Sequence, residues 1–260
     1  GARILEEPRY RNAAEQAGRF LCERMMRDGQ LLRTHRNGES RLPAYLDDYA
    51  FAAHAFLDLY DAAFDAAWLE AAESLAAMMQ EKFWDDAAGA FRFTAEEHAH
   101  LIARSRPSYD GAEPSGNAMA AFVLLRLARL LDHPEYQERA RRVLEGNALA
   151  MAQVPRGFLK TLCAVDFLLD TPREIVICGA RRAEDTAALL RAANTVFAPN
   201  AVFAFVDPAG PGADTLARRM PLLAGKTLVR GKAAAYVCED FVCASPVVSP
   251  DELARLLTIR

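Results

Sequence analysis

Two polar clusters have the residue types and spacing for acid/base chemistry. The first is Asp47-Asp48, a pair of adjacent carboxylates at the head of an apolar run. The second is Tyr109-Asp110-Gly111 with Glu113 to Asn117, which again precedes an apolar run. Paired carboxylates can act as general acid and general base on a sugar. Asp47, Asp48, Asp110 and Glu113 are therefore the catalytic candidates. Asn117 offers a donor and an acceptor on one amide, which suits sugar hydroxyls, and Gly111 and Gly116 let backbone approach a ligand closely. Capping is the plainer use of the same residues, since Asp or Ser at a helix start satisfies free amides. Asp47 and Asp48 point about 100° apart on a helix, so both cannot cap well.

Further candidates are single residues. Trp84 has a face on which a sugar can stack, or it anchors the core, where Trp is usually found. Tyr109 and Asn117 flank the second acidic cluster, and with Trp84 and His54 they make up the substrate-binding candidates. His54 lies within an apolar run, four residues before Asp58, and is otherwise a satisfied core histidine. His98 and His100 are two apart, which does not place them on one helical face, and no pair has the spacing of a zinc site. No metal and no cofactor are expected. Gly179 after Ile177-Cys178 is a lone glycine and does not make a dinucleotide-binding fingerprint.

The five cysteines, Cys22, Cys163, Cys178, Cys238 and Cys243, are odd in number and widely spaced. That fits reduced thiols in a cytosolic compartment. Cys238 and Cys243 would face opposite sides of a continuous strand. Only a turn at Glu239-Asp240 would bring them together. They are the redox or metal candidates of the chain, but two sulfurs alone do not make a structural zinc site, and packing roles are expected for both.

The elements that must position these groups divide at about Asp170. Residues 13–26 place Ala17, Leu21 and Met25 four apart, a helical face ended by Asp28-Gly29. Residues 47–64 are apolar nearly all round, so this helix is enclosed by others. Residues 66–83 are amphipathic, with Trp68, Leu69, Ala72, Leu75, Ala76 and Met79 as the buried stripe. Residues 84–94 read as a short hairpin and 95–113 as a polar stretch. Helices follow at 118–131, 136–151 and 155–169. After residue 170 the pattern becomes strand 174–178, helix 184–194 and strand 201–206, a βαβ unit. Another strand is expected at 233–238 and a closing helix at 250–257.

Enclosed and amphipathic helices thus alternate, as they would in two concentric layers of antiparallel hairpins. The expected fold class is mainly α: helical hairpins forming part of an (α/α)6 toroid over residues 1–170, then a small α/β subdomain over 171–260. Of the 260 residues, 52% are hydrophobic and 25% charged, with a net charge of −4. That composition suits a globular domain with a sizeable core. The basic residues are scattered among acids, which argues against a nucleic-acid face or a polybasic membrane anchor. No long uncharged apolar run marks a membrane span, and residues 1–10 are too polar for a secretory signal.

Four segments carry a family resemblance in order along the chain. They are Pro43-Ala44-Tyr45-Leu46-Asp47-Asp48-Tyr49-Ala50-Phe51, Phe83-Trp84-Asp85-Asp86 with Gly89, and Tyr109-Asp110-Gly111-Ala112-Glu113-Pro114-Ser115-Gly116-Asn117. The fourth is Ala235-Tyr236-Val237-Cys238-Glu239 with Phe241 and Cys243. Together they resemble the C-terminal region of the spermatogenesis-associated, thioredoxin-domain-containing family, the YyaL-like proteins. The resemblance implies a six-hairpin, glycosidase-like toroid similar to N-acylglucosamine 2-epimerases, in which histidines can serve as acid/base catalysts. It also implies a thioredoxin-like domain as a partner, but this chain has no Cys-x-x-Cys, so a redox role does not carry over from the family.

Two functions follow as expectations. One is a carbohydrate-active-type domain, an isomerase or glycoside hydrolase, with a sugar-like ligand at the acidic rim. The other is a non-catalytic interaction module that accompanies a thioredoxin-like domain or completes its ring as a homodimer. The helices of half a toroid leave apolar surface that calls for such a partner. Carboxylates about 5–10 Å apart across a cleft would mark the enzyme, and acids engaged in caps would mark the module.

Overall fold

The computed structural model describes residues 1–96 and 103–258. It divides into two compact units. One comprises residues 7–127 and 134–168, and the other residues 1–6, 128–133 and the chain from 169 onward.

The first unit is built on helices. Helix α2 (Pro8–Phe20) starts with proline at its first turn, where the missing N–H is not needed. (The short α1, Ala2–Leu5, belongs to the other unit.) A π-helical turn, Leu21–Met25, follows α2. The helix is therefore shorter at its end than its apolar spacing predicts. Strands β1 (Met26–Arg27), β2 (Gln30–Arg36) and β3 (Glu39–Pro43) then form an antiparallel sheet. Asp28-Gly29 is thus a hairpin turn and not a helix cap. Asn37-Gly38 makes the second turn, with φ of 53° and 80°, the left-handed pair that a two-residue hairpin requires.

Helices α3 (Leu46–Ala63) and α4 (Ala66–Phe83) match the sequence pattern within a residue. α3 buries Leu46, Tyr49, Phe56, Leu57 and Tyr60. Full burial of one such side chain contributes about 1.5–3 kcal/mol. α4 buries its whole expected stripe. α2 lies close against both, and Gly18 allows it: a Cβ there would stand 2.7 Å from Leu59 and 2.9 Å from Trp68. Strands β4 (Trp84–Asp85) and β5 (Ala90–Phe91) form the small hairpin. α5 (Gly116–Leu131), α6 (Pro134–Gly146), α7 (Ala148–Gln153), a 3-10 turn at Pro155–Gly157 and α8 (Leu159–Leu169) complete the helices. The expected helix over 136–151 is interrupted at Asn147. His98 and His100 lie outside the described residues.

The second unit is α/β. Strand β6 (Arg173–Cys178), helix α9 (Glu184–Thr195) and strand β7 (Val202–Val206) form the βαβ crossover, with β6 and β7 parallel and Ile175 opposite Phe203. After α10 (Ala213–Arg219) and a 3-10 turn at Pro221–Leu223, strand β8 (Ala234–Glu239) returns antiparallel to β6. β9 (Val242–Cys243) is the edge, giving the order β7-β6-β8-β9. α11 (Pro250–Thr258) packs against α9. β6, β7 and β8 are buried on both faces along nearly their whole length, as strands covered by helices must be.

The cysteine expectation needs correction. Cys238 and Cys243 form a disulfide, and Cys22, Cys163 and Cys178 are free. A two-residue turn at Asp240-Phe241 folds β9 back on β8 and sets the two cysteines directly opposite each other. Among the described residues no helix is long and apolar enough to cross a membrane.

Candidate functional site

In the helical unit the structure brings Asp47 to the first turn of α5. A Cβ on Gly116 would collide with Asp47 Oδ1, so the absence of a side chain there makes room for the carboxylate. Oδ1 is buried and has no hydrogen-bond partner among the described residues. Burial raises the Asp47 pKa, the negative charges of Asp48 and Glu113 add to it, and Arg33 and the Gly116 amide pull the other way. A carboxyl in such a place holds its proton more tightly than an ordinary Asp. Glu113 itself is exposed on the loop before α5. The two acids thus differ in environment: Asp47 is half-buried and Glu113 lies in solvent.

The other acidic candidates are engaged within the fold. Asp48 Oδ2 accepts from the Tyr45 backbone N–H at 2.8 Å, the reciprocal half of a capping box at the start of α3. Asp110 is 7% exposed. Its Oδ1 accepts from Ser115 N at 2.8 Å, and its Oδ2 accepts from Thr161 N at 2.9 Å and from the Thr161 hydroxyl at 3.1 Å. It ties the loop before α5 to the first turn of α8. Asn117 clasps Phe91, accepting from its N–H and donating to its carbonyl, both at 2.9 Å, and also donates to Pro107 O at 3.1 Å.

Trp84 is half-buried, edge-on to Phe91, with the guanidinium groups of Arg142 and Arg139 at 5.1 and 5.5 Å from its ring. Its indole N–H donates to Asp86 at 3.3 Å. Tyr109 is exposed, and its ring lies against Gly157, where a Cβ would strike it.

His54 belongs to a network that spacing along the chain does not reveal. Arg126 on α5 is 7% exposed and donates to His54 Nδ1 at 3.0 Å, to Asp58 at 2.8 Å and to Asp61 at 3.0 Å. Arginine has no acceptor, so Nδ1 accepts and the neutral ring carries its proton on Nε2. Burial, Arg126 and Lys160 push the His54 pKa down to about 4, against the pull of Asp58. Lys160, whose ammonium lies 3.4 Å from the Phe122 ring centroid, is also lowered, first by burial and then by Arg126. Asp61 and Arg126 were legible only as charges inside an apolar run.

The α/β unit holds a second cluster, in which the sequence singled out Cys243 but not Glu174, Arg129 or Lys226. Glu174 is fully buried, with Arg129 at 3.5 Å and the Phe241 N–H donating to it at 3.3 Å. Burial raises its pKa to about 7, opposed by the Phe241 amide and Arg129. Lys226 donates to Cys243 Sγ at 3.1 Å. Among the described residues no group of three or more His, Cys, Asp or Glu is arranged to hold a metal ion.

No family model matches the sequence. It is 35% identical over 98% of its length to Spermatogenesis-associated protein 20 of Homo sapiens, and 34% identical over 94% to the protein of that name in Rattus norvegicus. It is 28% identical over 96% of its length to an uncharacterized protein of Caenorhabditis elegans. The chain spans about a third of the length of each: 34%, 32% and 35%.

Proposed function

We propose that the chain belongs to the family of Spermatogenesis-associated protein 20, and that its helical unit is part of an α/α toroid binding a sugar-like ligand at the rim formed by Asp47 and Glu113. The observation that carries this reading is the half-buried Asp47 carboxyl beside exposed Glu113, its pKa raised by burial and by the charges of Asp48 and Glu113. With its pKa raised, Asp47 acts as the acid, and exposed Glu113 acts as the base. The chemistry is isomerisation or glycoside hydrolysis. Asp48, Asp110 and Asn117 build the rim without touching the ligand, because their polar atoms serve the fold. His54 is likewise held by Arg126.

The test is titration calorimetry with a panel of aldoses, N-acyl amino sugars and short oligosaccharides. Saturable binding that Asp47→Asn weakens and Glu113→Gln alters supports the reading. Absence of binding across the panel, or binding indifferent to Asp47→Asn, removes it.

A second reading is favoured by those same engaged residues: a non-catalytic module that assembles with itself or with a thioredoxin-like domain. Leu149, Val154 and Leu159 are exposed in the helical unit, and apolar side chains of this kind suit an interface. Light scattering over a range of concentrations separates the cases: a stable dimer supports self-assembly, and a monomer that binds sugars leaves the first reading alone.

A further inference from the structure

Three residues stand in one row across three strands of the α/β unit. Glu174 on β6 is directly opposite Cys238 on β8, and Cys238 is directly opposite Cys243 on β9. Side chains directly opposite in antiparallel pairs lie on the same face of the sheet, with Cβ atoms about 4.5–5.5 Å apart. The disulfide is therefore flanked by a carboxyl on one side. On the other, the Lys226 ammonium donates to Cys243 Sγ at 3.1 Å. Cys238 is fully buried, and Cys243 at the sheet edge is partly exposed.

A disulfide that only staples a hairpin needs neither group. A buried carboxyl is costly unless it has work or strong partners, and an ammonium beside a sulfur favours the thiolate. We infer that Cys238–Cys243 is a redox site that exchanges two electrons with a dithiol, Cys243 being the sulfur attacked and Glu174 the group that supplies the proton.

One thiol of the dithiol loses its proton to water, and its thiolate attacks Cys243 Sγ. The Cys238–Cys243 bond breaks and its electron pair leaves on Cys238 Sγ, which takes the proton of the Glu174 carboxyl. The reagent is now joined to Cys243 in a mixed disulfide. Its second thiol, deprotonated by solvent, attacks the reagent's own sulfur in that bond. Cys243 departs as a thiolate beside Lys226, and a proton from solvent restores Glu174. The dithiol becomes a cyclic disulfide, two electrons pass to the protein, and the reverse path reoxidises it.

Charged groups from each neighbouring element face Glu174: Arg129 of α5, Asp240 of the hairpin turn, and Lys226 of the segment before β8. Arg173 and Glu239 pair with each other in the adjacent row. Burial keeps the Glu174 carboxyl protonated to about pH 7, so a proton donor is present in the neutral range.

The test uses the whole chain, native and without denaturant, reduced with dithiothreitol from pH 6 to 9. Thiols are quenched by alkylation and Cys238 and Cys243 quantified by peptide mass spectrometry. Rates are normalised to the reagent's thiolate concentration. The normalised rate should fall by about tenfold or more as pH rises through the ionisation of Glu174, as loss of a general acid requires. Glu174→Gln should be slow throughout and flat with pH, and Lys226→Met should slow the reaction at every pH without removing the pH step. The wild-type profile needs no variant to fold. A disulfide that resists millimolar dithiothreitol until the protein unfolds overturns the proposal, and so does a flat wild-type profile.

Discussion

Asn117 holds the backbone of Phe91 from both ends of one amide group, receiving its N–H and giving to its carbonyl, each at 2.9 Å. The residue sits in the first turn of α5 and its partner on β5, so the clasp fixes the small hairpin to the start of an enclosed helix. Asn117→Ala leaves buried backbone groups of Phe91 without their side-chain partners. Each such loss costs about 1–3 kcal/mol. A destabilisation of about 2–4 kcal/mol is expected from urea unfolding. A change under about 0.5 kcal/mol would mean that water replaces the amide without loss.

Gly116 and Asp47 form a second such pair. Gly116→Ala places a methyl group against Asp47 Oδ1, and overpacking of this sort costs about 1–3 kcal/mol. Asp47→Gly removes the obstacle. In a double-mutant cycle on thermal or urea stability, Gly116→Ala should therefore be much less harmful in the Asp47→Gly background. Additive effects would place the strain elsewhere, against Leu46.

Much of the fold was legible in residue patterns. α3 and α4 could be bounded within a residue, because α3 is apolar nearly all round and α4 carries a clean stripe. The βαβ crossover followed from two β-rich runs either side of a helix with acids in its first turn. The β1–β3 sheet was missed although Asp28-Gly29 and Asn37-Gly38 are strong hairpin signals. Its middle strand, Gln-Leu-Leu-Arg-Thr-His-Arg, buries only Leu31 and lacks a clean apolar alternation. The roles of the acids were less legible, because their partners are distant in sequence: Asp110 and Thr161 are 51 residues apart, and Phe91 and Asn117 are 26 apart. The disulfide was hidden by its turn, since Asp240 and Phe241 take φ of 48° and 62°, where glycine or asparagine is the usual signal.

His54 should remain neutral well below the ordinary histidine range. Its pKa is lowered from 6.5 to about 4, first by burial. A lowered folded-state value means that its contribution to stability is present above pH 6.5 and is lost as pH falls through about 4. Ring nitrogen shifts in NMR should show the proton on Nε2 at pH 6, with no titration until pH is near 4. An ordinary midpoint near 6.5 would show that the Arg126 contact does not persist in solution.

Glu174 gives the opposite signature. Its folded-state pKa is raised from 4.5 to about 7, chiefly by burial. The neutral carboxyl is the form the fold accommodates, so its contribution to stability is fully present below pH 4.5 and is lost as pH rises through about 7. A shift of this size corresponds to about 3 kcal/mol, at about 1.36 kcal/mol per unit. Glutamine keeps the shape of the neutral acid but cannot ionise. The stability of Glu174→Gln relative to the wild-type chain should therefore rise between pH 5 and pH 8, by up to about 3 kcal/mol, when both are unfolded by urea with the disulfide intact. Arg129 works against that gain, because it partners the ionised carboxylate at 3.5 Å. In an Arg129→Met background the difference between the two should widen at pH 8 and stay unchanged at pH 5. A constant difference across the whole range would mean that Glu174 stays ionised in the folded protein, held by Arg129 and the Phe241 amide.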